Sequence, residues 1–398
     1  MNARPPRPRV AVIGISGYGR IHLELARACR DRGELDLVAA TVINREEEAA
    51  NVAELEGKGT AIYTDHAEML RRHAGAIDLC LIPTGIHWHA PMTVAALQAG
   101  ANVLVEKPLA GSTAEVAAIR AAERASGRFA AVGFQDYYEP GTTWLKGELA
   151  RGAIGELRSV RFLGLWPRTR AYYRRNDWAG RLQAGGRPVF DSPLNNAFAH
   201  FVMLSLYFAG ANGRAATGVR LEQAELFRAH DIASFDTAVA RLATDEGVAL
   251  WFGATHASRT SLEPEILITG SAGTACWRYE SEAWWEDARG RRERRRLLDA
   301  NGARREMMAA TLRRLRDPAA SICTTEMAGC HTALIESLHR QTEIVTLAPS
   351  LVTWSGDPGD AMATPSVRGL DEALQRACAT QSPLADAGFP PGVPAGRR

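Results

Sequence analysis

The first third of the chain repeats one unit: a short, mostly apolar run without polar alternation, followed by a stretch with helical spacing. The runs fall at 10–13, 35–43, 61–63, 77–82, 103–105 and 129–132, and the helical stretches between them at 21–29, 45–55, 67–72, 91–99 and 113–125. A strand apolar on both sides must be covered on both sides, so the repeat dictates a parallel sheet between two layers of helices. Right-handed crossovers then wind the sheet in both directions, and a ligand is expected at the carboxyl ends of the strands.

The pattern changes after Gly133. Strand-like segments at 157–165, 219–227, 234–242, 248–254, 266–269 and 274–279 follow one another, several across short turn-rich links such as 244–247 and 270–273. Direct succession of strands predicts antiparallel pairing. Helical patterns recur at 198–208, 305–315, 332–340 and 367–379. The expectation is an α/β chain. A doubly wound domain at 1–133 precedes an α+β domain at 134–398 that has a large, mostly antiparallel sheet with helices on one face. The other face of that sheet is the expected surface for a homodimer or homotetramer, and the tail from residue 381 is expected to wrap a surface.

Charge and composition exclude several classes. A net charge of +2 gives no field for nucleic acid, and the basic run 289–296 reads as a solvated hairpin strand. No 18-residue apolar stretch occurs and no apolar leader precedes residue 10, so no membrane partner is expected and a cytoplasmic location is. The six cysteines form no CxxC pair. Cys323, Cys330 and His331 have no zinc spacing, so no metal is expected.

The first apolar run ends in a loop holding Gly14, Ser16, Gly17, Tyr18 and Gly19, and a helical stretch follows. Strand, glycine loop and helix in that order let helix N-terminal amides meet a pyrophosphate. Gly14 and Gly19 fit the first and third glycines of GxGxxG, while Ser16 replaces the second. Nicotinamide enzymes often place an acid after the second strand to grip the ribose. Here Asn44 removes the charge that would repel a 2′-phosphate and Arg45 could pair with one, so NAD(P) is expected with a lean to NADP.

Two further segments follow strands four and five: Pro83-Thr84-Gly-Ile-His87-Trp-His89, and Glu106-Lys107-Pro108. With the glycine loop, they resemble the Gfo/Idh/MocA family of oxidoreductases, and the likeness extends over nearly the whole chain. Gly185-Gly186 and Phe190-Asp191-Ser-Pro-Leu-Asn195 are similar to that family's Gly-Gly…Asp-x-x-x-His stretch. The resemblance implies a Rossmann domain and a sugar-, polyol- or keto-sugar-like substrate. It further implies Lys107 as the group that handles the hydroxyl proton, with Glu106 near the nicotinamide ribose. Pro83, Thr84, His87 and Gln135 would line the cofactor, whereas no role is expected for His89.

Asp191 matches the family's substrate-facing aspartate, but Asn195 stands where many relatives carry histidine. Helical spacing would set Asn195 on the same face as Asp191, and an amide cannot relay a proton. His200, five residues further, is expected to be a packed helix histidine. Arg175, Asn176, Trp178 and Asn196 suit a hydroxyl-rich or acidic ligand. Two other functions stay open at this point: elimination or hydrolysis of a sugar assisted by tightly bound NAD, and a nucleotide-binding regulator without catalysis.

Overall fold

Strand β1 (Arg9–Ile13) is buried at four of its five residues, as a strand covered on both faces must be. It is the hub of a six-stranded sheet in the computed structural model, which describes residues 6–210 and 215–389. The chain continues through α1 (Gly19–Asp31), β2 (Asp36–Thr41), α2 (Ala49–Gly57), β3 (Ala61–Tyr63) and α3 (His66–Arg72). It then forms β4 (Leu79–Ile82), α4 (Ile86–Gln98), β5 (Asn102–Val105), α5 (Thr113–Ser126) and β6 (Ala130–Val132). The strand order is β3-β2-β1-β4-β5-β6 with every pair parallel. The order reverses between β1 and β4, and that switch point is where an open α/β sheet parts its loops to admit a ligand. Ser112 caps α5 at one end and Gly127, in the left-handed region, ends it at the other. At the start of α1, by contrast, no side chain caps the amides.

The second sheet follows α6 (Pro140–Ala150). Its path runs through β7 (Leu157–Leu165), α7 (Arg170–Arg174), β8 (Gln183–Ala184), β9 (Arg187–Pro188) and α8 (Ala199–Ala209). Strands β10 (Arg220–Arg228), β11 (Thr237–Ala243), β12 (Ala249–Thr255), β13 (Leu262–Gly270), β14 (Gly273–Arg278), β15 (Glu282–Asp287) and β16 (Arg292–Arg296) come next. Helices α9 (Ala300–Arg314) and α10 (Thr325–Gln341), strands β17 (Ile344–Thr346), β18 (Val352–Ser355) and β19 (Thr364–Val367), and α11 (Leu370–Thr380) complete the described chain. The nine strands run β16-β15-β14-β13-β7-β12-β11-β10-β17, antiparallel except for β7–β12 and β10–β17. The expected fold class is therefore the observed one.

Register shows how this sheet is covered. Ala240, Phe252, Phe162, Ile266 and Trp277 lie in one row across five strands. Phe162 meets Phe198 and Phe201 at the start of α8, and the Trp277 indole donates to Thr142 of α6 at 2.8 Å. The neighbouring row points the other way, since alternate residues take opposite faces. There Trp251, Leu163, Leu165 and Val239 pack with Leu370, Leu374 and Phe389. Helices thus cover both faces, not the single face expected, and the segment beyond residue 381 closes the second. At the far end of α8, the buried Lys146 ammonium donates to the carbonyls of Tyr207 (2.7 Å) and Gly210, adding a donor where the helix runs out of amides.

The division of the chain differs from the sequence expectation. One unit comprises residues up to Tyr138 together with Asn301–Gly329, and the other takes Glu139–Ala300 and the remainder. The returning segment seals β6: Val132 N–H donates to Cys323 carbonyl at 2.9 Å, and Ala131 bridges to Thr324. Among the described residues, no helix is long and apolar enough to cross a membrane.

Candidate active site

In the first unit the loops after β1, β2, β4 and β5 converge. Gly14 (φ 88°) and Gly17 (φ 56°) use the left-handed backbone, and the Gly14 amide donates to Thr41 carbonyl at 2.9 Å. A β-carbon on Gly19 would lie 2.6 Å from the Gly14 carbonyl oxygen, so only glycine permits this closure of loop on helix. A β-carbon at Gly17 would meet nothing, so that side of the loop is open to a phosphate. Together with the uncapped amides of α1, these features fit a dinucleotide. Ser16 hydroxyl donates to Asn44 Oδ1 at 2.9 Å, and Asn44 amide donates to Glu47 at 2.8 Å, which ties the loop after β1 to the loop after β2. Arg45 is turned to Glu56 of α2 (2.9 Å). Pro83 and Thr84 border the glycines, their side chains 3.6 and 3.5 Å from where β-carbons on Gly19 and Gly14 would stand. His87 sits buried in the first turn of α4.

Glu106 and Lys107 leave the carboxyl end of β5. Glu106 is 4 % exposed, yet both carboxylate oxygens are held. His22 Nε2 lies 2.8 Å from Oε1, and Lys107 N–H donates to Oε2 at 3.1 Å. Burial pushes the carboxyl pKa up, but the His22 hydrogen bond and the charges of His22 and Lys107 outweigh it, so Glu106 stays ionised below the ordinary carboxylate range. Space for this carboxylate comes from Gly133, where a β-carbon would stand 2.8 Å from Oε1. Tyr18 hydroxyl reaches Gln135 Oε1 at 3.5 Å and accepts from Arg304 Nε at 3.3 Å.

Sequence reasoning missed two histidines here. His22 occupies the buried stripe of α1 with Leu23, Ala26 and Cys29, and that polar interruption of an apolar stripe was the available signal. His89, expected to do nothing, is buried with Nδ1 2.6 Å from Pro108 carbonyl and Nε2 3.0 Å from Thr84 carbonyl. It clamps the loop after β4 to the loop carrying Lys107. Burial pulls its pKa below the usual imidazole range.

The second unit holds the other predicted group. Asp191 is 1 % exposed, and its carboxylate accepts from Gly180 N–H (2.6 Å) and Asn196 amide (2.9 Å). The i+4 expectation for Asn195 fails because residues 191–198 form turns and α8 begins only at Ala199. Asn196, five residues on, meets Asp191. Asn195 is buried and donates to the Val189 and Phe190 carbonyls (2.9 and 3.2 Å), bracing its own loop. Phe190 itself adopts φ 44°, a strained backbone for a side chain, and stacks on His339. Asn176 Oδ1 accepts from Trp178 and Ala179 N–H, so it shapes the turn that leads to Gly180. Arg175 lies over the rings of Tyr172 and Trp178. His200 is packed in α8. A buried polar group stands behind these residues. Tyr173 hydroxyl is 2.7 Å from His256 Nδ1, and His230 Nδ1 is 2.8 Å from Asp236.

Residues 8–134 match the family model described as "Oxidoreductase family, NAD-binding Rossmann fold". Those residues resemble the Gfo/Idh/MocA oxidoreductases. Among similar proteins, a putative UDP-kanosamine synthase oxidoreductase subunit from Amycolatopsis mediterranei is 29% identical over 284 residues, covering 67% of this chain and 74% of the relative. An inositol 2-dehydrogenase from Pseudomonas savastanoi is 35% identical over 153 residues, covering 37% and 43%. The chain thus spans less than half the length of that dehydrogenase. A 3-ketoreductase from Actinomadura kijaniata, solved with NADP and TDP-benzene, superposes with a TM-score of 0.67 at 18% identity, covering 86% of this chain and all of that one. A dehydrogenase from Bordetella pertussis, solved with NADH and UDP-GlcNAcA, gives 0.67 at 20% identity over 84% and 96%. These structures share the two-domain fold. The resemblance drawn from the glycine loop and Glu106-Lys107-Pro108 is thereby borne out, as is the oxidoreductase class.

Proposed function

We propose that the chain transfers a hydride between a bound nicotinamide cofactor and a carbinol or carbonyl carbon of a sugar, polyol or keto-sugar, with Lys107 Nζ holding the hydroxyl proton. The observation that carries this reading is the carboxylate of Glu106, buried, ionised and fixed at both oxygens, one of them by the amide of Lys107 itself. A fixed negative charge at the next residue favours the ammonium form of Lys107, which polarises a carbonyl oxygen and gives it a proton in reduction; in oxidation the neutral amine takes the hydroxyl proton as the hydride leaves the carbinol carbon. The nicotinamide ring, when bound, supplies or accepts the hydride. The glycine loop seats the pyrophosphate, and Pro83 and Thr84 border it. His89 holds the two loops together, which fixes the distance over which Lys107 works.

Asp191 serves here through its grip on Gly180 and Asn196, aligning the loop that carries Trp178. The preference for NADP rests on the neutral Asn44 and on Arg45. The Arg45–Glu56 pair is more than 40 % exposed on both sides. Such pairs are worth about 0–1 kcal/mol, so a 2′-phosphate can take the guanidinium from Glu56. The inositol dehydrogenases and the ketoreductase among the similar proteins support an alcohol or ketone centre. Self-association through the part of the large sheet that the helices leave partly exposed, at Leu262, Glu265 and Leu267 of β13, belongs to the same reading.

The test is Lys107→Met, assayed by NADPH absorbance against a panel of sugars, polyols and their ketones. Turnover should be lost while NADPH binding, read by fluorescence, stays within about threefold of the wild type. Turnover retained at the wild-type rate removes Lys107 from proton handling.

A further inference from the structure

From Trp166 to Arg181 the chain carries five arginines, Arg168, Arg170, Arg174, Arg175 and Arg181, against a single acid, Asp177. Several arginines elsewhere are ion-paired: Arg27 and Arg30 with Glu54, Arg278 with Glu265, Arg340 with Glu336. In this segment none of the five guanidiniums reaches a carboxylate among the described residues. Arg168, Arg170 and Arg175 lean on aromatic faces instead. Arg175 lies 3.8 Å and Arg168 5.1 Å from the same Tyr172 ring, so the two cations share one small area. Arg168 also covers Trp166 (5.4 Å), and Arg175 covers Trp178 (5.3 Å). Each gives one N–H to a nearby backbone carbonyl, Pro167 for Arg168 and Tyr172 for Arg175, out of the five a guanidinium owns.

A second observation comes from the wall behind Tyr172. His256 is 1 % exposed; its Nδ1 faces Tyr173 hydroxyl, but its Nε2 has no hydrogen-bond partner. The ring meets Tyr172 edge-on at 5.5 Å, and Arg168 N–H donates to the His256 carbonyl at 3.0 Å. A buried polar atom without a partner beside unspent cations marks a place where a polar ligand completes the structure.

Resting on the hydride-transfer reading above, we propose that this face holds the diphosphate of a nucleotide-linked sugar, with Arg168 and Arg175 on the phosphate oxygens. The number of cations decides for a diphosphate over a sugar carboxylate. One bidentate guanidinium satisfies a carboxylate, whereas a diphosphate presents several anionic oxygens to more than one arginine. The aromatic rings keep these cations in place at less hydration than water would give, without a carboxylate to compete with the ligand.

The experiment is calorimetric titration of the full chain, saturated with NADH so that the dinucleotide crevice is filled. The probes are UDP and TDP, with inorganic phosphate, glucuronate and glucose as comparisons. UDP or TDP is expected to bind, and Arg168→Gln and Arg175→Gln to weaken that binding by about tenfold or more each. NADH affinity should stay unchanged, and Arg292→Gln on the distant hairpin should leave UDP affinity unaltered. If a glutamine variant fails to fold, Arg175→Lys keeps the charge and loses the fork, and it too should weaken UDP binding. The proposal is overturned if UDP and TDP do not bind at millimolar concentration, if they bind the arginine variants as well as the wild type, or if glucuronate alone shows the arginine dependence. Arginine-dependent UDP binding with no turnover of any nucleotide sugar supports the site and counts against hydride transfer. Turnover of a free keto-sugar that UDP does not inhibit overturns the site and leaves hydride transfer standing.

Discussion

Replacing His22 by leucine removes the only side chain among the described residues that holds Glu106 Oε1, while leaving that oxygen buried. A hydrogen bond to a charged acceptor is worth roughly 1.5–3 kcal/mol, and breaking a buried charged pair by deleting one partner costs about 3–5 kcal/mol. The leucine fills most of the imidazole's place, so a cavity adds little and the electrostatic loss dominates. The loss depends on pH in a definite direction. In the wild type the carboxyl pKa is depressed, so its contribution is present above the ordinary value near 4.5 and is lost as pH falls. In the variant, burial is opposed only by the Lys107 amide and charge, so the carboxyl pKa rises, a penalty that is absent at low pH and grows as pH rises through the new value. Both effects widen the gap at neutral pH and close it towards pH 4. Urea denaturation from pH 4 to 8 should give a gap of about 3 kcal/mol at pH 7 that shrinks on acidification, with His22→Gln recovering part of it through its amide N–H. A gap under about 1 kcal/mol, or one independent of pH, would refute the claim that His22 keeps Glu106 charged.

Asn44→Asp places a carboxylate where a 2′-phosphate would come and sets it against Glu47, 2.8 Å from the present amide. NADP affinity should fall about tenfold relative to NAD, as measured by fluorescence titration, and an unchanged ratio removes the argument for NADP. His339 packs against Phe190 and Phe235, and burial pulls its pKa from 6.5 to about 4. Below pH 6.5 the unfolded chain therefore takes up a proton that the folded ring refuses. Stability should drop by roughly 3 kcal/mol between pH 7 and pH 4 on this account. His339→Phe should lose that component, and a wild-type-minus-variant difference that stays constant with pH contradicts it.

Much of the first unit was legible because its strands are apolar on both faces, a pattern little else produces. The return of residues 301–329 was not, since helical spacing in 305–315 says that a helix forms and not which sheet it covers. β15 escaped notice because Trp284 and Trp285 sit among Glu282, Glu286 and Asp287, which blurs the alternation a strand should show. The small strands β18 and β19 are half-buried and equally faint. In the site, the glycines were legible from their spacing along one loop. The His22–Glu106 contact joins residues 84 apart, and Arg304 meets Tyr18 across 286. Asn195 misled because a four-residue interval was read as a helical turn, whereas Ser192 and Pro193 open a series of turns and α8 starts later.

The segment that seals β6 sets the order in which the molecule can be made. Cys323, Thr324 and Thr325 satisfy Val132, Ala131 and Glu123. A ribosome therefore has to release more than three hundred residues before the nucleotide-binding sheet has all its parts, and nearly the whole second sheet emerges in between. A fragment cut after Tyr138 keeps the glycine loop but bares the amide row of β6 to any strand that finds it. Whoever wishes to isolate that half by itself must splice residues 301–329 back on.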